Sequence, residues 1–190
     1  MASEIIVQTI KGPTSGANAN KVIIPSGQTL DASNGFVAPA GSVIQHLSVS
    51  DNTDTRNTTA TFTDTNLSLN ITPKFSNSKI SITGHLGLGA DTTTNQGLGV
   101  RLLLDGTHLT NWPGISSNSN KYIIFYHDTG HTRDFYGQMP FHIFNTGALT
   151  AGTSYNFKIQ FRSWISSNGH ASVNSSGYTN SVMTIEEIAQ

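Results

Sequence analysis

The chain has no cysteine, which excludes a disulfide framework, a thiolate nucleophile and any zinc site built on thiolates. Charge is nearly as scarce: ten Lys+Arg and eleven Asp+Glu make up 11% of the 190 residues, and the formal balance is −1 with the histidines neutral. An ordinary soluble domain carries about 25% charged residues, and exposed helix faces draw on that supply of Lys and Glu. A helical or α/β fold is therefore not expected. Six lysines and four arginines scattered along the chain set up no field toward phosphate backbones or anionic headgroups, so neither nucleic-acid binding nor attachment to a membrane surface is expected. No apolar run approaches the ~18 residues of a membrane span. The start, Met1–Ile10, lacks the basic stretch ahead of an apolar one that marks a secretory leader, so synthesis without an export signal is expected. Also missing is any long stretch with apolar residues at i, i+3, i+4 and i+7 and a cap before it.

What the chain has in quantity is short polar side chains. Ser, Thr and Asn number 22, 24 and 17, together 63 of 190 residues, so hydroxyls and amides must make up the surface. Period-2 alternation runs through the apolar residues. Leu67, Leu69 and Ile71 alternate with polar residues up to Pro73; Ile80, Ile82, Leu86 and Leu88 share a face around Gly84; Tyr155, Phe157, Ile159 and Phe161 oppose Asn156, Lys158, Gln160 and Arg162. Further strands are expected over Val43–Val49, Leu98–Leu104 before the Asp105-Gly106 turn pair, Tyr122–His127, Phe135–Phe144 with Pro140 marking a bulge or an edge, and Ser181–Ile188. In the last of these, Val182, Thr184, Ile185 and Ile188 fit a closing strand. About eight strands separated by Gly/Asn/Ser/Thr turns predict an all-β fold, an antiparallel, jelly-roll-like sandwich over residues 43–190.

Residues 1–42 read differently. The apolar islands Ile5, Ile6, Val7 and Val22, Ile23, Ile24 are separated by Lys11-Gly-Pro-Thr-Ser-Gly-Ala-Asn-Ala-Asn-Lys21 and followed by Pro- and Gly-containing turns. Islands this small and far apart build no core of their own, yet they are rich in β-branched residues, which disordered segments lack. An arm that orders by anchoring on a partner or intertwining with sister chains is expected.

Few residues point to chemistry. His127-Asp-Thr-Gly-His131 has the four-residue spacing of a helical metal pair, but Thr129-Gly130 makes a turn and no glutamate base lies between the histidines. His127 and His131 are thus weak metal ligands at a polar hairpin tip, and no metal or other cofactor is expected. Asp51-Asn-Thr-Asp54 resembles half a calcium loop without its later Gly and bidentate Glu, and reads as a turn. Gly84-x-x-Gly87-x-Gly89 lies within a strand pattern with no helix to receive a phosphate, and reads as small residues under close packing. No Gly-x-Ser-x-Gly elbow or forced carboxylate pair is present, so no catalytic residues are expected. Trp112, flanked by Asn111 and sharing a loop with Asn118, is a candidate to stack on a saccharide. Trp164 falls out of phase with the 155–161 alternation, and together with Phe141, Ile143 and Phe144 forms the candidate subunit contact.

The stretch Gly16-Ala-Asn-Ala-Asn-Lys-Val-Ile-Ile-Pro-Ser-Gly-Gln-Thr-Leu-Asp-Ala-Ser33 resembles the linker ahead of a terminal domain in structural proteins of tailed phages, notably marine and cyanobacterial ones. The resemblance continues through Leu69-Asn-Ile-Thr-Pro-Lys-Phe-Ser-Asn-Ser-Lys-Ile80, Leu149-Thr-Ala-Gly-Thr-Ser-Tyr-Asn-Phe-Lys-Ile-Gln-Phe161 and Met183-Thr-Ile-Glu-Glu-Ile-Ala-Gln190. It implies a virion component with a trimeric β-sandwich head, of the tail-fibre or receptor-binding kind, and carries over no catalytic residues. The absence of shaft repeats departs from long fibres and favours a short fibre, a spike or a capsid decoration protein. Its expected partners are copies of itself, capsid or tail proteins, and a host-surface glycan; the alternative is a carbohydrate-binding or polysaccharide-depolymerising domain.

Overall fold

A computed structural model describes residues 10–19, 21–28, 38–90, 97–109, 123–126, 135–145, 149–163, 170–175 and 179–190. The chain divides into two compact units, Met1–Val37 and Ala38–Gln190. In the first, short backbone turns are closed by Ala19 N–H to Gly16 O (3.1 Å), Lys21 N–H to Asn18 O (3.1 Å) and Gln28 N–H to Pro25 O (3.0 Å). Gly12 lies so close to the Lys21 backbone that a Cβ there would overlap it.

The second unit is an all-β sandwich. Its strands are β1 (Val43–Asp51), β2 (Thr55–Asn57), β3 (Thr63–Ile71), β4 (Lys79–Ala90), β5 (Gly97–Leu104), β6 (Thr107–His108), β7 (Ile123–Tyr126), β8 (Phe135–Asn145), β9 (Tyr155–Ser163), β10 (Ala171–Val173) and β11 (Ser181–Ile188). Every pairing is antiparallel. One sheet runs β1-β11-β4-β10-β2, with β8 along the other side of β4; the second runs β3-β9-β5-β6, with β7 also on β5. β1 and β11 are held together at their ends by Gly41 N–H to Ala189 O and Ala189 N–H to Ser42 O, each 2.9 Å.

Alternation dictates what each sheet buries. From the six-stranded sheet Ile80, Ile82, Leu86, Leu88, Met139, Phe141, Ile143, Met183 and Ile185 point inward, and they meet Leu67, Ile71, Leu98, Val100, Leu102, Phe157, Ile159 and Phe161 from the five-stranded sheet. Phe157, Ile159 and Phe161 are completely buried, each worth roughly 1.5–3 kcal/mol relative to exposure. Pro140 sits in β8 opposite His85 with the register unbroken on either side; among the described strands β8 pairs with β4 alone, and an edge is where a residue without an N–H is tolerated.

Local sequence sets the details. Asp105 and Gly106 both have positive φ (48° and 77°) and join Leu104 to its partner Thr107, the two-residue primed turn that Asp-Gly favours. Gly84 faces inward between Ile82 and Leu86; a methyl there would overlap the Val182 carbonyl oxygen and come within 2.8 Å of the Phe141 ring. Close approach of Phe141, its direct cross-strand partner, is thus what Gly84 permits. In β11 the inward residues are Ser181, Met183, Ile185 and Glu187, so Val182, Thr184 and Ile188 face outward. Only Ile185 of the four residues read as fitting the closing strand lies on the core side.

Candidate functional site

The outer face of the six-stranded sheet is built from the residues that alternate with the core set. On β8 these are Tyr136, Gln138, Pro140, His142 and Phe144, of which Tyr136 is 40% and Phe144 48% exposed. The imidazole of His142 stacks obliquely on Phe144, centroids 4.4 Å apart and planes at 56°, and its Nε2 is 3.2 Å from Ser81 Oγ on β4. Farther across, His46 Nδ1 meets Glu186 Oε1 at 3.0 Å and Ser48 Oγ meets Thr184 Oγ1 at 3.2 Å. The contact trio read from the sequence is therefore split. Phe141 and Ile143 are 7% and 3% exposed and belong to the core, while Phe144 alone looks out. The physical reason is the pleat: neighbouring residues of a strand point to opposite faces, so 143 and 144 never share one.

The outer face of the five-stranded sheet carries Asp64, Arg101, Lys158 and Arg162. Asn156, Lys158, Gln160 and Arg162 project from β9 between the inward Phe157, Ile159 and Phe161. They are tied to the flanking strands in rows. Asn156 Nδ2 donates to Asn70 Oδ1 (2.7 Å) and Ser68 Oγ (2.9 Å) on β3. Asp64 accepts from Lys158 Nζ (2.8 Å) and Gln160 Nε2 (2.6 Å), and the hydrogen bond from Lys158, then that from Gln160, holds its carboxyl below the ordinary range. On β5, Arg101 donates from Nε to Gln160 Oε1 at 2.8 Å, and its guanidinium lies 4.1 Å from the centroid of the Phe62 ring. Arg162 approaches the same ring at 5.2 Å. Partial burial, then the like charge of Arg162, lower the pKa of Arg101, with Asp64 opposing.

Three polar ties inside the sandwich escaped the sequence reading. Glu187, completely buried, accepts from Gln45 Nε2 (2.6 Å), Lys74 N–H (2.9 and 3.0 Å), Phe75 N–H (3.0 Å) and Ser78 Oγ (2.6 Å). Burial pushes its carboxyl up, and these donors, Ser78 first, outweigh burial and hold it below its ordinary 4.5. Asn174, also buried and at φ 59°, donates to Asp51 Oδ2 (2.7 Å) and accepts from Ser181 Oγ (2.6 Å). Asn57 donates to Thr61 O (2.9 Å), Thr63 Oγ1 (3.0 Å) and Phe161 O (3.3 Å), closing the loop between β2 and β3. The readable signal for Glu187 is its phase: it continues the inward series Met183, Ile185. The Asp51–Asp54 turn is part of the second tie, since Asp51 also accepts from Thr53 N–H (3.2 Å) and Asn66 Nδ2 (3.3 Å).

Chemically these arrangements bind and brace. Ser81 with His142 is a hydroxyl–imidazole contact with a catalytic look, but among the described residues no carboxylate orients the other ring nitrogen of His142, and Glu186 is turned to His46 instead. Among the described residues no three His, Asp or Glu side chains converge as a metal site, and no helix is long and apolar enough to cross a membrane. Trp112, Asn111, Asn118, Trp164, His127, His131, Ile5, Ile6 and Val7 lie outside the described residues. Val22, Ile23 and Ile24 lie in the N-terminal unit with 55%, 56% and 42% of their surface exposed.

No protein-family model and no curated protein matches the chain. Solved structures do. The infectious bursal disease virus Gx strain structure aligns over 88% of this chain and 43% of its own, with 19% identity and a TM-score of 0.36. The VP2 subviral particle of infectious bursal disease virus aligns over 94% and 46%, with 16% identity and a TM-score of 0.39. The T=1 particles derived from that virus match with 16% identity over 87% of this chain and 40% of theirs, TM-score 0.39. The chain spans less than half the length of these structures.

Proposed function

We propose that the chain is a non-enzymatic structural protein of a virion, of the short tail fibre, spike or decoration type. Its N-terminal arm, about residues 1–42, attaches to a larger particle or to sister arms, and a trimeric β-sandwich projects outward for adhesion to the host surface or reinforcement of the particle. The observation that carries this reading is the exposure of Ile10, Val22, Ile23 and Ile24, 70%, 55%, 56% and 42% respectively, in a unit separate from the sandwich. Three consecutive β-branched residues in water are unfavourable by roughly 25 cal/mol per Å² of apolar surface, and an assembly that covers them recovers that energy. The sandwich has a continuous core of its own, to which Gly41 and Ser42 at the end of the arm add two backbone hydrogen bonds with Ala189. On its outer surface Phe144 and Tyr136 take over from Phe141 and Ile143 as the contact between copies.

Deleting residues 1–42 tests the reading. The truncated chain is expected to fold, with the far-ultraviolet signature of a β protein and a cooperative melt, and to be absent from particles assembled in its presence. Full occupancy of the truncated chain on particles rules out the anchoring role. The resemblance to tailed-phage structural proteins lies along the same line, and the phage type, the trimer and the receptor all belong to the proposal.

A further inference from the structure

We infer that the outer face of the five-stranded sheet, centred on Arg101, is a binding site for a carboxylate-bearing polysaccharide. Among the described residues no carboxylate forms an ion pair with Arg101. Arg101 is half-buried, its Nε is committed to Gln160 Oε1 at 2.8 Å, and its guanidinium carbon lies 4.1 Å from the centroid of the Phe62 ring. Its two terminal nitrogens have no hydrogen-bond partner among the described residues, and they are the pair that grips a carboxylate with two parallel bonds. Asp64, the carboxylate whose charge acts on Arg101, is already engaged by Lys158 at 2.8 Å and Gln160 at 2.6 Å. Arg162, which donates to Ala60 O at 3.2 Å, brings a second guanidinium to the same ring at 5.2 Å, so an anion bound at Arg101 has a second cation nearby.

The shape of the surface selects a polymer. The outward positions of β9 from Asn156 to Arg162 extend over about 20 Å at ~3.4 Å per residue, room for several linked sugar rings. The row also presents the side-chain amide of Asn156 and the hydroxyl of Ser68. Nucleic acid fits less well: it binds through many cations at once, with a steep salt dependence, whereas this face pairs one of its three cations with Asp64 and the chain as a whole has a formal charge of −1. The inference deepens the adhesion half of the proposed function and rests on that reading for its setting, but binding by purified protein is measured apart from incorporation into particles.

Affinity electrophoresis of the full chain through gels containing polygalacturonate, neutral dextran or single-stranded oligodeoxythymidine decides it. The expected result is retardation by polygalacturonate and none by dextran. Arg101→Gln weakens that retardation at least tenfold, and Arg101→Lys, which keeps the charge and loses the planar fork, weakens it several-fold, both with unchanged oligomeric mass and melting temperature. Should Arg101→Gln unfold the protein, the Lys variant carries the test alone. Migration unaffected by polygalacturonate, equal retardation by dextran, tighter binding of the oligonucleotide, or undiminished binding by a folded Arg101→Lys variant overturns the inference. Loss of polysaccharide binding with intact particle incorporation leaves the virion reading standing, and the converse result sinks that reading while keeping this site.

Discussion

Replacing Glu187 by alanine removes the acceptor for four donors at once. Gln45, the Lys74 and Phe75 amides and Ser78 all converge on this one carboxylate, through distances of 2.6–3.0 Å, and together they pin the chain between β3 and β4 to β11. Hydrogen bonds to a charged group contribute ~1.5–3 kcal/mol each and neutral ones ~1. The site is buried, so the carboxylate's own desolvation cancels part of that sum, while two backbone N–H groups are left without their acceptor. A net loss of about 3–5 kcal/mol follows, since each donor left without its acceptor in a buried site costs about 1–3 kcal/mol. For a domain of this size each kcal/mol is ~2–4 °C, so the melting temperature is expected to fall by about 6–20 °C. Glu187→Gln keeps one acceptor oxygen and turns an NH2 toward the remaining donors, and should fall between alanine and wild type.

The same residue makes a pH prediction with a definite sign. Its folded pKa lies below its ordinary 4.5, so the charged form is favoured by folding. That contribution is fully present above the unfolded value, and it is lost as pH drops from 4.5 through the folded pKa. Urea midpoints measured at fixed protein concentration from pH 7 to pH 3 should therefore decline in wild type below about pH 5, with a visibly shallower decline in Glu187→Gln. Melting of Glu187→Ala within a degree of wild type, or an identical acid decline in the Gln variant, would refute the reasoning.

Other substitutions separate core from surface. Phe141→Ala should cost about 3 kcal/mol or more by opening a cavity, seen as a lower denaturation midpoint, whereas Phe144→Ser should leave the midpoint of the dissociated chain within ~0.5 kcal/mol and shift the equilibrium away from oligomer on a sizing column. Gly84→Ala drives a methyl into the Val182 carbonyl and the Phe141 ring; a loss of about 1–3 kcal/mol in thermal denaturation is expected from overpacking. Asn174→Gly keeps the left-handed backbone and loses the bonds to Asp51 and Ser181, so comparing it with Asn174→Ala divides side-chain from backbone effects; the alanine variant should be the less stable in the same melt.

Legibility in the sequence followed the length of each pattern. β9 and β4 were readable because four inward residues in each repeat with period 2 and the outward positions are polar or Gly, and the bounds of β11 coincide with Ser181–Ile188. β2, β6 and β10, two or three residues each, hold too few residues to show any period, and they form because β10 is clamped between β4 and β2 and β6 is folded back by the Asp105-Gly106 turn. The inward face of β11 was not legible because Val182 and Ile188 are apolar on the outside while Glu187 is charged on the inside, where four donors converge on it. The face around Arg101 was illegible for another reason: Phe62, Asp64, Arg101 and Arg162 come from three strand regions, and only the register of β3, β9 and β5 places them together.

The proposed function turns on self-association, and mass in solution measures it most directly. Sedimentation equilibrium of the full chain at micromolar concentration should give about 61 kDa, three times the 20.3 kDa of one copy, with Phe144→Ser shifting the population toward the smaller species. A single 20.3 kDa species across that range, with Val22–Ile24 still exposed to water, would contradict the account of a virion protein completed by its neighbours.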